Sequence, residues 1–147
     1  MFKNMELTAK TDKEMEKIGQ NLSDRLKSGD ILCLTGNLGA GKTTLVKGLA
    51  RGFNIKKEIT SPTFALMRVY DTKISKHKNT KTFVHIDTYR LNNEQELIDI
   101  GAEDYLSKPD TICVIEWPEK IKKLLKNKKI VSVTIKHLSN GGRKIIL

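Results

Sequence analysis

A glycine-rich segment of eight residues, Gly36 to Thr43, constrains the fold of this chain more than any other feature. It fits the pattern G-x-x-x-x-G-K-[ST], in which glycines let backbone N–H groups turn inward around an anion. The apolar run Ile31–Thr35 precedes it and predicts a buried strand, and apolar residues at helical spacing follow it from Thr44 to Arg51. Strand, loop and helix in this order predict a phosphate-binding loop (P-loop) at the carboxyl end of its strand.

The residues of the P-loop have different expected tasks. Lys42 brings a mobile ammonium group to the outer phosphates of a nucleotide, and Thr43 offers a hydroxyl to Mg²⁺. The backbone and the start of the following helix supply the other predicted contacts, from Asn37, Leu38, Gly39, Ala40, Gly41 and Thr44.

Two carboxylates come directly after apolar strand residues, at Asp87 and Glu116. A P-loop usually works with an acid at the end of a neighbouring strand, so both are candidate catalytic residues beside Lys42. We assign Mg²⁺ to Thr43 and Glu116, while Asp87 either shares the metal or orients the attacking water; the alternative is that each acid only caps a turn. His85 shares a strand face with Asp87, where a hydrogen-bonded structural role is favoured.

Other polar residues lie near these segments. The hydroxyls of Ser61 and Thr63, around the bend at Pro62, are candidates for the terminal phosphate. Arg90 is expected to reach a phosphate or pair with a carboxylate, and Trp117 to pack beside the site or fill the core. The Asn-Lys-x-Asp sequence that recognises guanine has only a poor match at 107–110, which lacks the leading amide, so ATP is the expected nucleotide.

The rest of the chain supplies an α/β domain. A capping box at 11–14 opens a first helix that should end near 28–30, and Gly52 is a plausible C-cap after the P-loop helix. Further strands are predicted at Phe64–Tyr70, Thr82–Asp87, Thr111–Glu116, Ile130–Leu138 and Arg143–Leu147. Short helices are predicted at Glu94–Ile100 (capped by Asn92 or Asn93), Ala102–Leu106 and Pro118 to about Leu125. We therefore predict one domain over residues 1–147, a three-layer P-loop NTPase fold with a central mixed, mainly parallel sheet and helices on both faces.

The composition limits the partners. A net charge of +10 suggests nucleic acid, yet 22 of the 27 basic residues are lysine, which also solubilises surfaces, so direct RNA contact stays open beside a merely solvated surface. The lysine-rich insert 75–81 is either a contact with tRNA or a partner protein, or simply an exposed loop. No apolar run is long enough for a membrane span, the first residues resemble no export signal, and Cys33 and Cys113 lie in apolar runs as buried thiols; a cytoplasmic protein is expected.

Four segments together resemble the TsaE (YjeE) family, the small P-loop ATPases of bacterial threonylcarbamoyladenosine synthesis on tRNA. They are the P-loop with its preceding Gly29-Asp30, Ser61-Pro62-Thr63-Phe64 followed by Tyr70, His85-Ile86-Asp87-Thr88-Tyr89-Arg90-Leu91, and Ile115-Glu116-Trp117-Pro118-Glu119. The resemblance spans nearly the whole chain. One departure is Asn37, where the family more often has aspartate.

The resemblance implies an ATPase that acts on the TsaD–TsaB complex and does not itself modify tRNA. It carries Lys42 and Thr43 to the phosphate and magnesium positions, Asp87 to the essential aspartate, Glu116 to the second acid and Trp117 to a tryptophan near the nucleotide. The tRNA is then an indirect partner, or a direct one.

Two other functions compete with this interpretation. A small-molecule kinase shares the loop and the metal, but it needs several arginines to hold two phosphorylated reactants, and of five arginines only Arg51 and Arg90 lie near the motif segments. A basic RNA-binding module with a vestigial nucleotide site is disfavoured, because every loop residue that the chemistry needs is present.

Overall fold

The computed structural model of this protein describes residues 4–62, 64–72, 79–106 and 108–147. The predictions that fall on Thr63, on most of the lysine-rich insert, on the first residue of 107–110 and on the first three residues lie outside these ranges.

The described residues contain seven strands in one sheet, in the order β1-β7-β6-β2-β5-β4-β3. The strands are β1 Glu6–Ala9, β2 Ile31–Thr35, β3 Met67–Asp71, β4 Thr82–Asp87, β5 Thr111–Glu116, β6 Ile130–His137 and β7 Arg143–Ile146. The helices are α1 Asp12–Ser23, α2 Lys42–Gly52, α3 Gln95–Asp99, α4 Ala102–Leu106 and α5 Lys122–Leu125, with a 3₁₀ turn at Pro118–Ile121 before α5.

Parallel pairing is concentrated in the centre of the sheet. Strands β6, β2, β5 and β4 pair in parallel, while β1, β7 and β3 extend the sheet through antiparallel ladders. The carboxyl ends of β2, β4 and β5 therefore meet at one edge, where open α/β sheets bind ligands. The predicted P-loop NTPase-like fold with a mixed sheet is confirmed.

Alternation along the central strands separates two apolar cores, one on each face. Leu32 and Val114 face α1 and α2, whereas Cys33 and Ile115 face α3, α4 and α5. Both cysteines are buried free thiols, as predicted. Because Glu116 continues the alternation of 112 and 114, it projects toward α2, the helix that follows the P-loop.

Helices α1 and α2 pack with their backbones almost in contact. A Cβ on Gly19 would lie 2.3 Å from Leu45 O, and one on Gly48 would lie 2.0 Å from Glu16 O. Only glycine fits both positions, and this close packing fixes the direction of α2 and so of the loop at its start.

Several element boundaries differ from the prediction. Strand β1 was not predicted, since four half-exposed residues give little periodic signal. Helix α1 ends at Ser23, well before 28–30, although Thr11 does cap it by accepting from Glu14 N. Gly52 is the last residue of α2 and not its C-cap. Its missing side chain instead admits Ser23, whose Oγ would lie 1.8 Å from a Cβ.

The later elements show smaller differences. Strand β3 begins at Met67, and neither Asn92 nor Asn93 caps α3, because Glu94 occupies the N-cap without a side-chain bond. The segment from Pro118 to Leu125 is mostly a 3₁₀ turn before one short α turn. Within the described residues no helix has the length and apolarity to cross a membrane.

Candidate functional site

The P-loop connects β2 to α2 at the carboxyl edge of the parallel strands. Gly39 and Gly41 have φ of 76° and 100°, conformations that side chains resist, so glycine is required there for the loop to turn. Asn37, Leu38 and Gly39 are exposed, Ala40 is buried, and Gly41, Thr43 and Thr44 are partly exposed. The loop backbone that was predicted to bind phosphate is thus open to solvent.

Lys42 is buried although it carries a charge, with 5 % of its surface exposed. Its Nζ donates to Gly36 O at 2.5 Å and to Asn37 O at 3.1 Å. Burial lowers the pKa of Lys42 below the usual 10.5, while the negative charges of Glu116, Asp87 and Glu119 oppose that shift. The ammonium group is therefore hydrogen-bonded to carbonyls of its own loop, close to the strand ends that carry Asp87 and Glu116.

Glu116, at the end of β5, is held by two side chains. Thr43 Oγ1 lies 3.2 Å and 3.3 Å from its two carboxylate oxygens, and His85 Nε2 lies 2.6 Å from Oε2. His85 is fully buried, so this contact is a short hydrogen bond that orients the carboxylate. The structure thus brings Thr43 and Glu116 together, and His85 has the hydrogen-bonded role that was favoured from sequence.

Asp87 lies beside Glu116, because the two residues are register partners at the ends of β4 and β5. Its Oδ2 accepts from Ser61 Oγ at 2.7 Å, and its Oδ1 accepts from the backbone N–H of Tyr89 at 2.9 Å. The hydroxyl of Ser61, predicted near the site, thus contacts an acid of the site directly. Asp87 and Glu116 have separate partners, so two carboxylates with different surroundings face α2.

Trp117 covers the other side of Lys42. The Nζ atom of Lys42 lies 4.0 Å from the centroid of the indole ring, a cation–π contact, and the ring of Tyr89 packs against Trp117 with centroids 5.1 Å apart. Trp117 has φ of 61°, an unusual backbone for an aromatic residue, so the turn after β5 is bent to place this ring over the lysine. Trp117 therefore packs beside the site.

One residue that ties the strand ends together was missed from sequence. Thr88 is fully buried, and its Oγ1 donates to the carbonyls of Glu116, at 3.1 Å, and Trp117. It fixes the turn after β4 to the turn after β5. A threonine following an aspartate gives no sequence signal of this kind, because the partner strand is unknown.

Three arginines have contacts that sequence did not identify. Arg51 pairs with Glu16 of α1, and the guanidinium of Arg90 lies 4.6 Å from the centroid of Phe64, an exposed ring. The statement that only Arg51 and Arg90 lie near the motif segments was wrong. Arg143, the first residue of β7, donates to carbonyls of the P-loop.

The oxygens at this edge suit a divalent cation. Thr43 and Glu116 present a hydroxyl and a carboxylate in contact with each other, and hard oxygen ligands of this kind are what Mg²⁺ takes. Among the described residues, no group of three or more His, Cys, Asp and Glu forms a metal site without outside ligands. The donor set therefore fits Mg²⁺ held by one or two carboxylates together with phosphate oxygens.

Comparison with known proteins identifies the family. The family model described as "Threonylcarbamoyl adenosine biosynthesis protein TsaE" matches residues 9–145. The chain belongs to the TsaE family. It is 36 % identical over 141 residues to the tRNA threonylcarbamoyladenosine biosynthesis protein TsaE of Treponema pallidum. These aligned residues cover 96 % of this chain and 98 % of the relative. The TsaE protein of Bacillus subtilis is 34 % identical over 119 residues, covering 81 % of this chain and 69 % of the relative.

A solved structure of a TsaE relative has the same fold. The crystal structure of Bacillus subtilis YdiB superposes with a TM-score of 0.78 at 26 % identity, over 99 % of this chain and 84 % of that one. The resemblance inferred from the four sequence segments is therefore confirmed at the level of family and fold.

Proposed function

We propose that this TsaE family member binds ATP with Mg²⁺ on the P-loop and hydrolyses it in support of threonylcarbamoyladenosine modification of tRNA. The observation that carries the proposal is the convergence of Lys42, Thr43 and Glu116 at one end of the sheet, with the Thr43 hydroxyl 3.2 Å from the carboxylate. Relatives that are named for this modification support the pathway.

Binding of the triphosphate uses the loop backbone and Lys42. Inward N–H groups and the start of α2 attract phosphate oxygens, and Lys42 exchanges two carbonyl acceptors for charged phosphate. Because burial lowers the pKa of Lys42, a bound anion restores the stability of its charged form. Residues 37–41 and Thr44 complete the predicted contacts, and Trp117 limits the space above the lysine.

Hydrolysis uses Asp87. Thr43 and Glu116 would hold a magnesium ion, which would supply positive charge to stabilise the transferring phosphoryl group. Asp87 accepts from Ser61 Oγ and from the backbone N–H of Tyr89, which orients it as a carboxylate with partners of its own. We therefore assign Asp87 to the attacking water, which it orients by hydrogen bonding and from which it takes a proton as the general base. His85 keeps Glu116 in place beside Thr43.

The proposed site of action is the TsaD–TsaB complex, with tRNA as an indirect partner, in the cytoplasm. Residues 1–147 would act as one domain, since a single sheet joins β1 near one terminus to β7 near the other. The basic surface leaves direct contact with tRNA as a second possibility within the same function.

A single variant tests the catalytic step. Asp87→Asn should keep ATP binding and lose phosphate release by about 10²-fold or more, because general-base assistance contributes that much. Asp99→Asn is the control, since Asp99 is exposed on α3 and bonds only to Gln95 in the described contacts. Full turnover in Asp87→Asn would remove Asp87 from the mechanism.

Reconstitution tests the pathway. Multiple-turnover modification of tRNA by purified components should require this chain, and should fail with Asp87→Asn. Modification that ignores its presence counts against the proposal. ADP release that needs an added acceptor metabolite would instead favour a kinase. Arg143 does not support that alternative, because its nitrogens already donate to carbonyls.

A further inference from the structure

One side chain connects the terminal hairpin of β6 and β7 to the P-loop. Arg143 Nε lies 3.0 Å from Ala40 O and Nη2 lies 3.3 Å from Gly39 O, carbonyls that are 103 and 104 residues away in sequence. Its Nη1 donates to the hairpin itself, at Gly141 O (2.8 Å) and Gly142 O (3.3 Å). All three guanidinium nitrogens therefore donate to carbonyls, two of them in the P-loop.

These bonds determine which way the loop amides point. A peptide unit is planar and trans, so its C=O and N–H point in opposite directions. When Arg143 holds Ala40 O on the hairpin side, the N–H of Gly41 is directed away from the hairpin. Gly41 immediately precedes Lys42, so this amide belongs to the predicted phosphate-binding set.

The loop needs such a constraint from outside. Gly39 and Gly41 both have positive φ, and a glycine loses more freedom than other residues when one conformation is fixed. The hairpin also touches the start of the loop, since a Cβ on Gly36 would lie 2.7 Å from Ile135 O of β6. The P-loop thus rests against the hairpin at its first residue and is hydrogen-bonded to it in the middle.

We propose that Arg143 is a positioning residue that holds the P-loop in its phosphate-binding shape before the nucleotide arrives. It acts through the loop peptides and does not contact the phosphates. Its fork of donors is the reason for arginine here, because a lysine has the same charge but cannot bond two successive carbonyls while also holding the hairpin. The identity of the ligand, but not the bracing of the loop, rests on the proposed function.

The experiment compares Arg143→Lys and Arg143→Ala with Lys144→Ala. Lys144 is the next residue of β7 and pairs with Glu6 at 2.8 Å, so its removal subtracts the same charge without touching the loop. Amide exchange of residues 36–42 is measured without nucleotide, and MgATP affinity is followed by the fluorescence of Trp117, the single tryptophan.

Both Arg143 variants should exchange faster in the loop and bind MgATP about 10- to 100-fold more weakly, the loss expected for charge-assisted bonds. Turnover at saturating ATP should stay near that of the wild type, so KM rises and kcat does not fall. Lys144→Ala should match the wild type in loop exchange, in MgATP affinity and in turnover.

Wild-type exchange and affinity in Arg143→Lys would overturn the proposal, because charge alone would then suffice; should Arg143→Ala fail to fold, Arg143→Lys decides. If the wild type binds no MgATP but the Arg143 variants still exchange faster in the loop, the proposed function is refuted and the bracing by Arg143 stands. If both variants bind MgATP as the wild type does and their loop exchange is unchanged, the bracing by Arg143 is refuted and the proposed function stands.

Discussion

Replacing Gly48 by alanine should separate the two helices that position the P-loop. The new Cβ would lie 2.0 Å from Glu16 O and 2.8 Å from Glu16 C, where ordinary contacts are at least about 3.4 Å. The obstacle is backbone, so the helices must move apart by about 1.4 Å to reach ordinary contact. A gap of about 1 Å already forfeits about half of each dispersion contact.

The cost follows from these distances. Overpacking costs about 3 kcal/mol at the upper end of its usual range, and the better helix propensity of alanine returns about 1 kcal/mol. A net loss of about 2 kcal/mol should lower the Tm by about 4–8 °C for a chain of this size. MgATP affinity should fall as well, because Lys42 and Thr43 begin the displaced helix.

Thermal unfolding with and without MgATP measures both effects. Lys17→Ala is the control, since Lys17 is exposed on α1 and its truncation adds no atom to the helix contact. A Gly48→Ala protein that melts at or above the wild-type temperature would refute the packing argument.

Two further predictions concern buried titratable groups. Burial raises the pKa of Cys33 and Cys113 to about 12, with a smaller contribution from Glu119 at Cys33, so both thiols should react about 10³-fold more slowly with a thiol reagent near pH 8 than in the unfolded chain; rapid labelling of native protein would contradict this. Burial lowers the pKa of Lys42, so between the lowered value and 10.5 the unfolded chain binds more protons and stability rises with pH. In melts from about pH 7 to about pH 10 the wild type should therefore gain stability relative to Lys42→Met. If Lys42→Met instead gains stability relative to the wild type as the pH rises, the direction of the Lys42 pKa shift is wrong.

Sequence alone was sufficient where the signal is local. The P-loop, its strand and its helix come from one continuous pattern, and the apolar runs of β4 and β5 placed Asp87 and Glu116 at strand ends. The family resemblance rests on the same segments.

What sequence did not supply depends on contacts between distant residues. Arg143 reaches the loop across 103 residues, and Thr88 bonds to carbonyls of a strand whose order in the sheet was not known. Glycine is the usual residue at a helix C-cap, but the reason for glycine at position 52 is the side chain of Ser23 on α1, which leaves no room for a Cβ. Strand β1 is stabilised by pairing with β7, which its own four residues do not encode.

A crystal structure with Mg²⁺ and a non-hydrolysable ATP analogue tests the central claim most directly. We predict that Lys42 Nζ leaves Gly36 O and Asn37 O and lies about 2.7–3.2 Å from an outer phosphate oxygen. The metal should lie about 2.0–2.1 Å from Thr43 Oγ1, with Glu116 bound directly or through water. A loop without bound phosphate at saturating analogue, with Lys42 still on its own carbonyls, would contradict the account.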